Sequence, residues 1–130
     1  MTSGALGKLY PDGEPIVRQG EMGDSMFVIQ QGNVEVLREE AGRTFRLTSL
    51  GPGELFGEMA LFEKAPRSAT VRAVGEARVL TVDKRTFLQR VQEDPSLAFR
   101  VLQTMSARIR SLDGEVARLR EQTRAAQTEP

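Results

Sequence analysis

The chain has 130 residues, in which 18 lysines and arginines balance 18 aspartates and glutamates, and it contains neither histidine nor cysteine. This length suits one domain with an appendage, and a net charge of zero gives no overall field favouring nucleic acid. Without imidazole or thiol groups, histidine triads, histidine or cysteine metal sites and disulfides are excluded, so a zinc or iron enzyme is disfavoured and we expect no cofactor.

Hydropathy along the chain favours a cytoplasmic location. The N-terminal residues lack the long apolar run of a signal peptide, and no apolar segment is long enough to span a bilayer. We therefore expect a soluble protein with no membrane partner.

From Gly4 to about Val82, short runs of alternating apolar and polar residues predict a mainly β unit, an antiparallel jelly roll of roughly eight strands. Phe45 and Leu47 are predicted on a buried face, and glycines, including Gly20, Gly23, Gly32 and Gly51, are interpreted as backbone punctuation. The predicted turns include Gln31–Asn33 and Gly75–Glu76. The main predicted strands are Pro15–Gln19, Met26–Gln30, Val34–Glu39, Arg43–Leu50, Ala69–Val74 and Ala77–Val82.

After Asp83 the pattern becomes helical. Asp83 is a predicted N-cap for a short helix over 84–93, with Phe87, Leu88 and Val91 on one face. Asp94-Pro95 repeats the start signal for a second helix running to about Ala126. The predicted organisation is therefore a β roll with a short helix over residues 1–94, a long helix over 95–127 and a frayed tail over 128–130.

The apolar residues of the long helix recur in steps of four and three, which is a heptad repeat. Branched residues at the a positions with leucine at d favour a parallel dimer. We expect a homodimer and a coiled coil formed through Leu102, Met105, Ile109, Leu112, Val116 and Leu119.

The segment 53–73 has the composition of a phosphate cradle. Gly57 allows close approach of the backbone, and Glu58–Phe62 is predicted to begin a short helical turn whose N–H groups face an anion. Pro66 precedes Arg67, whose planar guanidinium suits a phosphate held from two sides. Gly57-Glu58 alone is typical of any turn, and Arg67 alone is typical of a surface side chain. The nine-residue gap between Glu58 and Arg67 favours a phosphate site formed by both.

These residues carry a resemblance to a known family. Phe56–Leu61 followed by Pro66–Val71 looks like the phosphate-binding cassette of the cyclic-nucleotide-binding domain family. The resemblance extends upstream through Tyr10–Gly13, Ile16–Asp24 and Met26–Gly32, and covers about Leu9 to Asp113. It implies the family's β roll with C-terminal helices and a cyclic nucleotide as the ligand, with no enzymatic activity.

The resemblance also implies roles for individual residues. Glu58 would hold the ribose 2′-hydroxyl and Arg67 the cyclic phosphate. Near Leu112 and Asp113, relatives place hydroxyl side chains that reach the base, but Leu112 can neither donate nor accept a hydrogen bond. We expect cAMP as the ligand more than cGMP, and the base contact stays open. The other predicted ligand contacts are at Phe56, Gly57, Met59, Ala60, Ser68 and Ala69.

Two other hypotheses remain beside a dimeric cyclic-nucleotide sensor. The same fold could serve as a structural interaction module that has lost nucleotide binding. An enzyme on a jelly roll is disfavoured by the missing histidine and cysteine. DNA binding by this chain is not expected, because a helix-turn-helix needs further helices after the long one.

Overall fold

A computed structural model describes residues 6–128, and their side chains except those at positions 112, 113, 115 and 125–128. The chain divides into two compact units between Glu93 and Asp94. The described part of the first unit holds antiparallel strands, a 3₁₀ helix (Glu58–Leu61) and the helix α1 (Lys84–Glu93). Its strands are β1 (Lys8–Tyr10), β2 (Pro15–Val17), β3 (Met22–Gly23), β4 (Ser25–Glu40), β5 (Arg43–Leu50), β6 (Leu55–Phe56), β7 (Ala65–Pro66) and β8 (Thr70–Asp83).

The two long strands β4 and β8 organise this unit. They pair with each other, β8 also pairs with β1 and β2, and β4 also pairs with β5 and β6. The two-residue strands β3 and β7 form a separate small sheet. One buried apolar cluster, which includes Tyr10, Phe27, Ile29, Val34, Phe56, Val71 and Val79, fills the interior. The predicted mainly β fold with C-terminal helices is confirmed.

The turns predicted at Gln31–Asn33 and Gly75–Glu76 are wrong, because β4 and β8 each run straight through them. Gly32 has a φ of 80° and Gly75 a φ of 69°, and the β4–β8 register shifts on both sides of Gln31. A Cβ on Gly32 would overlap the carbonyl oxygen of Glu76. The glycines therefore form an irregularity within two paired strands, as β-bulges do, and not a reversal of the chain.

The predicted burial of Phe45 and Leu47 is also wrong. Phe45 is 46% exposed and Leu47 is 54% exposed. Both lie on β5, an edge strand of the six-stranded sheet in which every residue from Arg43 to Ser49 is exposed, and the β4–β5 register shifts between Val36 and Leu37. An edge strand has only one neighbour, and here the core is filled from β4, where Val34 and Leu37 are buried.

The first helix begins where the sequence predicted. The Thr86 N–H donates to Asp83 Oδ1 at 2.7 Å, so Asp83 caps α1, and this hydrogen bond lowers the pKa of Asp83. Phe87 is buried as predicted, but Leu88 is 53% exposed and does not share its face. The prediction that Leu88 lies on the same face as Phe87 is therefore wrong, and Phe87 is the residue of this helix that is buried.

The second unit contains the helix α2 (Ser96–Thr128). Asp94 Oδ1 accepts hydrogen bonds from the N–H of Ser96 at 3.1 Å and from its hydroxyl, and these bonds lower the pKa of Asp94. Leu97 and Val101 are buried, whereas four of the heptad residues further along are exposed, namely Leu102, Ile109, Val116 and Leu119. Neither helix, over the residues described, is long and apolar enough to cross a membrane.

Candidate functional site

The turn predicted after Gly57 forms as the 3₁₀ helix. Gly57 precedes it with φ 76° and ψ 14°, a left-handed conformation that favours glycine. The Ala60 N–H donates to the Gly57 carbonyl at 3.2 Å, and the Phe62 N–H donates to the Met59 carbonyl at 3.1 Å. These bonds define a compact turn directly after β6, at the place where the sequence predicted one.

The Arg67 side chain reaches back to this turn. Its Nη2 donates to the Ser25 carbonyl at 2.9 Å, and its Nη1 lies 3.5 Å from the Gly57 carbonyl. The guanidinium carbon is 5.4 Å from the centroid of the Phe27 ring, within the range of a cation–π contact. The structure therefore places the Arg67 guanidinium next to Gly57, and the ligand site predicted from these residues stays a prediction.

Opposing effects act on the pKa of Arg67. Partial burial lowers the pKa of the guanidinium, while the carboxylates of Asp24 and Glu21 act in the other direction. An arginine remains protonated at any physiological pH, so the group is a half-buried cation. Such a cation is suited to bind an anion, and the nearby acidic side chains are what an incoming anion would have to compete with.

The main chain of Arg67 is held by the loop after β2, a contact that the sequence did not predict. The Arg67 N–H donates to the Glu21 carbonyl at 2.7 Å, and the Gly20 N–H donates to the Arg67 carbonyl at 2.8 Å. Next to these bonds, β3 pairs with β7, with Met22 opposite Pro66. The loop 18–24 therefore fixes Arg67 from both sides of its peptide.

Gly23 has a specific steric role here. A Cβ at this position would overlap Nε and Cζ of Arg67, so the guanidinium lies in the space that the missing side chain leaves. The interpretation of Gly23 as punctuation is therefore wrong, whereas Gly20, with a φ of 90°, is a turn residue as expected. The signal in the sequence was the upstream motif Ile16–Asp24, which contains both glycines.

The remaining cassette residues lie at different depths. The Glu58 side chain is fully buried, and Phe56 is buried and stacked on Phe27, with ring centroids 5.0 Å apart. Met59 and Ser68 are exposed, and Ala60 and Ala69 are half-buried. Phe56 is 2% exposed as a whole residue, so the ligand contact predicted there stays a prediction.

The long-helix residues predicted to take part lie on α2. Leu102, Ile109, Val116 and Leu119 are all exposed, and Met105 is half-buried. The side chains of Leu112 and Asp113 lie outside the described residues, so their predicted contact with the base stays a prediction. The same holds for the dimer, since exposure of the stripe is necessary for a dimer but does not demonstrate one.

Comparison with known proteins identifies the family. The profile described as "Cyclic nucleotide-binding domain" matches residues 8–94, about two thirds of the chain. The chain belongs to this family, and the resemblance drawn from the cassette is confirmed.

Relatives agree with the family match. The chain is 36% identical over 110 residues to the cyclic AMP receptor protein of Thermus thermophilus, covering 84% of this chain and 51% of that one. It is 41% identical over 78 residues to a cAMP-dependent protein kinase regulatory subunit of Mucor circinelloides, covering 60% of this chain and 18% of that one. The chain thus spans about half of the first relative and less than a fifth of the second.

A crystal structure shows the same fold. The Thermus thermophilus catabolite activator protein superposes with a TM-score of 0.78 at 34% identity, covering 86% of this chain and 53% of that one. The two proteins therefore share the β unit and its C-terminal helices as a common architecture.

Proposed function

We propose that this chain is a non-enzymatic regulatory module that binds a cyclic nucleotide, cAMP in preference to cGMP. Family membership supports the ligand class, and two relatives whose names specify cyclic AMP support the choice of base. The observation that carries the proposal is the placement of the Arg67 guanidinium against Gly57 at the start of the 3₁₀ helix. No cofactor is part of the proposal.

In this site Arg67 binds the cyclic phosphate. The guanidinium is half-buried and held by two carbonyls, so its orientation is set before the ligand arrives, which lowers the ordering cost of binding. A charge-assisted hydrogen bond to phosphate contributes about 1.5–3 kcal/mol. Backbone groups at Gly57, Met59, Ala60, Ser68 and Ala69 contact the remaining oxygens.

In this proposal the Glu58 carboxylate accepts a hydrogen bond from the ribose 2′-hydroxyl. Because its side chain is fully buried in the present structure, a ribose reaches it only when the cassette rearranges locally. Binding is therefore coupled to a small change in the 3₁₀ helix and its neighbours. Leu112 and Asp113 lie near the base in the same proposal.

The long helix supplies dimerisation and output. Leu102, Ile109, Val116 and Leu119 are exposed apolar side chains at heptad spacing, which suits a second copy of α2. A ligand shifts the pose of such helices only by its differential affinity for the two poses. We expect cyclic nucleotide to act in this way in a cytoplasmic homodimer.

Calorimetric titration with cAMP and with cGMP tests the proposal. We expect binding to at least one nucleotide, stronger for cAMP, and a loss of about ten- to a hundredfold in affinity in Arg67→Ala. The exposed Arg85 of α1 provides the control, and Arg85→Ala should leave affinity unchanged. Unchanged affinity in Arg67→Ala would contradict the phosphate site.

The second candidate function is a structural interaction module of the same fold. The full burial of Glu58 favours it, because a carboxylate that is buried in the structure has to be exposed at a cost in free energy before a ribose can contact it. Absence of heat with either nucleotide, from protein shown to be folded and dimeric, is the result that selects this function.

A further inference from the structure

The side chain of Gln19 pairs with a single peptide unit of β4. Its Nε2 donates to the Glu39 carbonyl at 3.0 Å, and the Glu39 N–H donates to its Oε1 at 2.8 Å. Both halves of the amide are therefore used, in the arrangement by which a neighbouring strand would bind that residue. Gln19 acts as a one-residue strand at this point of β4.

The main chain of Gln19 binds the other long strand. Its N–H donates to Thr70 Oγ1 at 2.9 Å, and Thr70 is the first residue of β8. One residue thus connects the loop 18–24 to both long strands of the sheet. The next residue, Gly20, donates to the Arg67 carbonyl.

These contacts place Gln19 at the anchored end of the loop that holds Arg67. The loop binds both the N–H and the carbonyl of Arg67, and Gly23 provides the space for its guanidinium. If the anchor is released, the loop can shift relative to β4, and the Arg67 main chain shifts with it. The guanidinium then loses its alignment with the carbonyl of Ser25, which belongs to β4.

We infer that Gln19 is a positioning residue for phosphate binding, which acts by fixing the loop 18–24 and through it Arg67. This inference deepens the proposed function and rests on it. Gln19 is exposed and does not belong to the buried apolar cluster, so Gln19→Leu leaves the core packing unchanged. Neither partner of this amide pair is a predicted ligand contact.

Gln19→Leu removes both side-chain hydrogen bonds while keeping a side chain of similar length. Gln89→Leu, at an exposed position on α1, is the matched control. We expect Gln19→Leu to weaken cAMP affinity by about fivefold, the equivalent of one net hydrogen bond, with the control unchanged. Unchanged affinity in Gln19→Leu would overturn the inference.

A double-mutant cycle separates positioning of Arg67 from a general structural effect. Arg67→Lys replaces the planar guanidinium, whose orientation matters for binding phosphate, by a single ammonium group. In this background Gln19→Leu should weaken cAMP affinity by less than about twofold. A fivefold loss that persists in this background would show that Gln19 acts on some other part of the site, and would contradict the inference.

Amide hydrogen exchange in the unliganded protein tests the inference without any nucleotide. In Gln19→Leu, exchange should accelerate by about tenfold at the amides of Gly20 and Arg67 as well as at Glu39. Acceleration at Glu39 alone would show that the loop does not depend on the anchor. If wild-type protein binds neither nucleotide, the proposed function fails, whereas the exchange result still decides whether Gln19 holds Arg67.

Discussion

The first unit has a buried apolar core, whereas several large apolar side chains along α2 are exposed. In the first unit Ile29, Phe56 and Val79 are at most 2% exposed and belong to one cluster. On α2, by contrast, Ile109 and Leu119 are 58% and 60% exposed. The first unit thus has an apolar core of its own, whereas these apolar side chains of the helix are exposed. Stability and association are therefore expected to respond to different substitutions.

Substitution of Phe56 and of Phe45 tests whether the apolar core stabilises the first unit. Phe56→Ala removes a ring that is 2% exposed and stacked on Phe27, and should lower the free energy of unfolding by about 3–5 kcal/mol. Phe45→Ala, at the half-exposed edge strand, should change it by about 0.5 kcal/mol or less. Urea denaturation measures both, and similar losses would show that β5 is covered in solution.

A charged residue among the exposed apolar side chains of α2 tests whether they mediate association. Ile109→Lys places an ammonium within the predicted heptad repeat, where Ile109 takes an a position, and should raise the dissociation constant of a dimer by about a hundredfold or more. Ala107→Lys, at an outward heptad position, is the control. Analytical ultracentrifugation measures both. Equal association by the two variants would contradict the parallel coiled coil, and urea denaturation of the first unit should not change in either.

A methyl group beside Arg67 tests whether the first unit carries the binding function by itself. Gly23→Ala forces the guanidinium out of its position and should weaken cAMP affinity by about tenfold. Gly114→Ala on α2 is the control, because a Cβ there meets open space. Calorimetry should show the loss only at Gly23, and a loss at Gly114 instead would move the binding determinant to the helix.

The smallest expected effect concerns the cap of α1 and its dependence on pH. The Thr86 N–H lowers the folded-state pKa of Asp83 below its ordinary value of 3.8. The contribution of the carboxylate is therefore fully present above that value and is lost as the pH falls through the folded-state pKa.

Asp83→Asn isolates this contribution, because asparagine caps about as well but does not titrate. We expect wild type to exceed the variant slightly in Tm at pH 7 and by less at pH 3, because the contribution of the charge is lost at low pH. A difference that is constant with pH would show that the charge of Asp83 contributes nothing to the cap.

Features set by neighbouring residues could be predicted from the sequence. The Asp83 cap and the turn after Gly57 depend on backbone groups within four residues, so local residue types were sufficient to predict them. The motif around Arg67 identified the family for the same reason, since its residues lie close together in the chain.

Features set by distant pairing could not be predicted in this way. Whether Gly32 makes a turn or a bulge depends on β8, which presents the Glu76 carbonyl to it. The exposure of Phe45 depends on β5 being an edge strand. Gly23 matters because Arg67, far along the chain, occupies its space. Each of these outcomes needs the register of the assembled sheet, which local patterns do not contain.

The position of β8 also has a consequence for how the protein is made. Lys8 pairs with Val79 and Pro15 pairs with Arg72, so β1 and β2 leave the ribosome long before their partner exists. Such non-local sheets fold over about milliseconds to seconds, whereas a helix such as α2 forms within about a microsecond. Until β8 is synthesised, the nascent strands have unpaired edges, so the interval of translation up to Asp83 is when this chain is most exposed to aggregation.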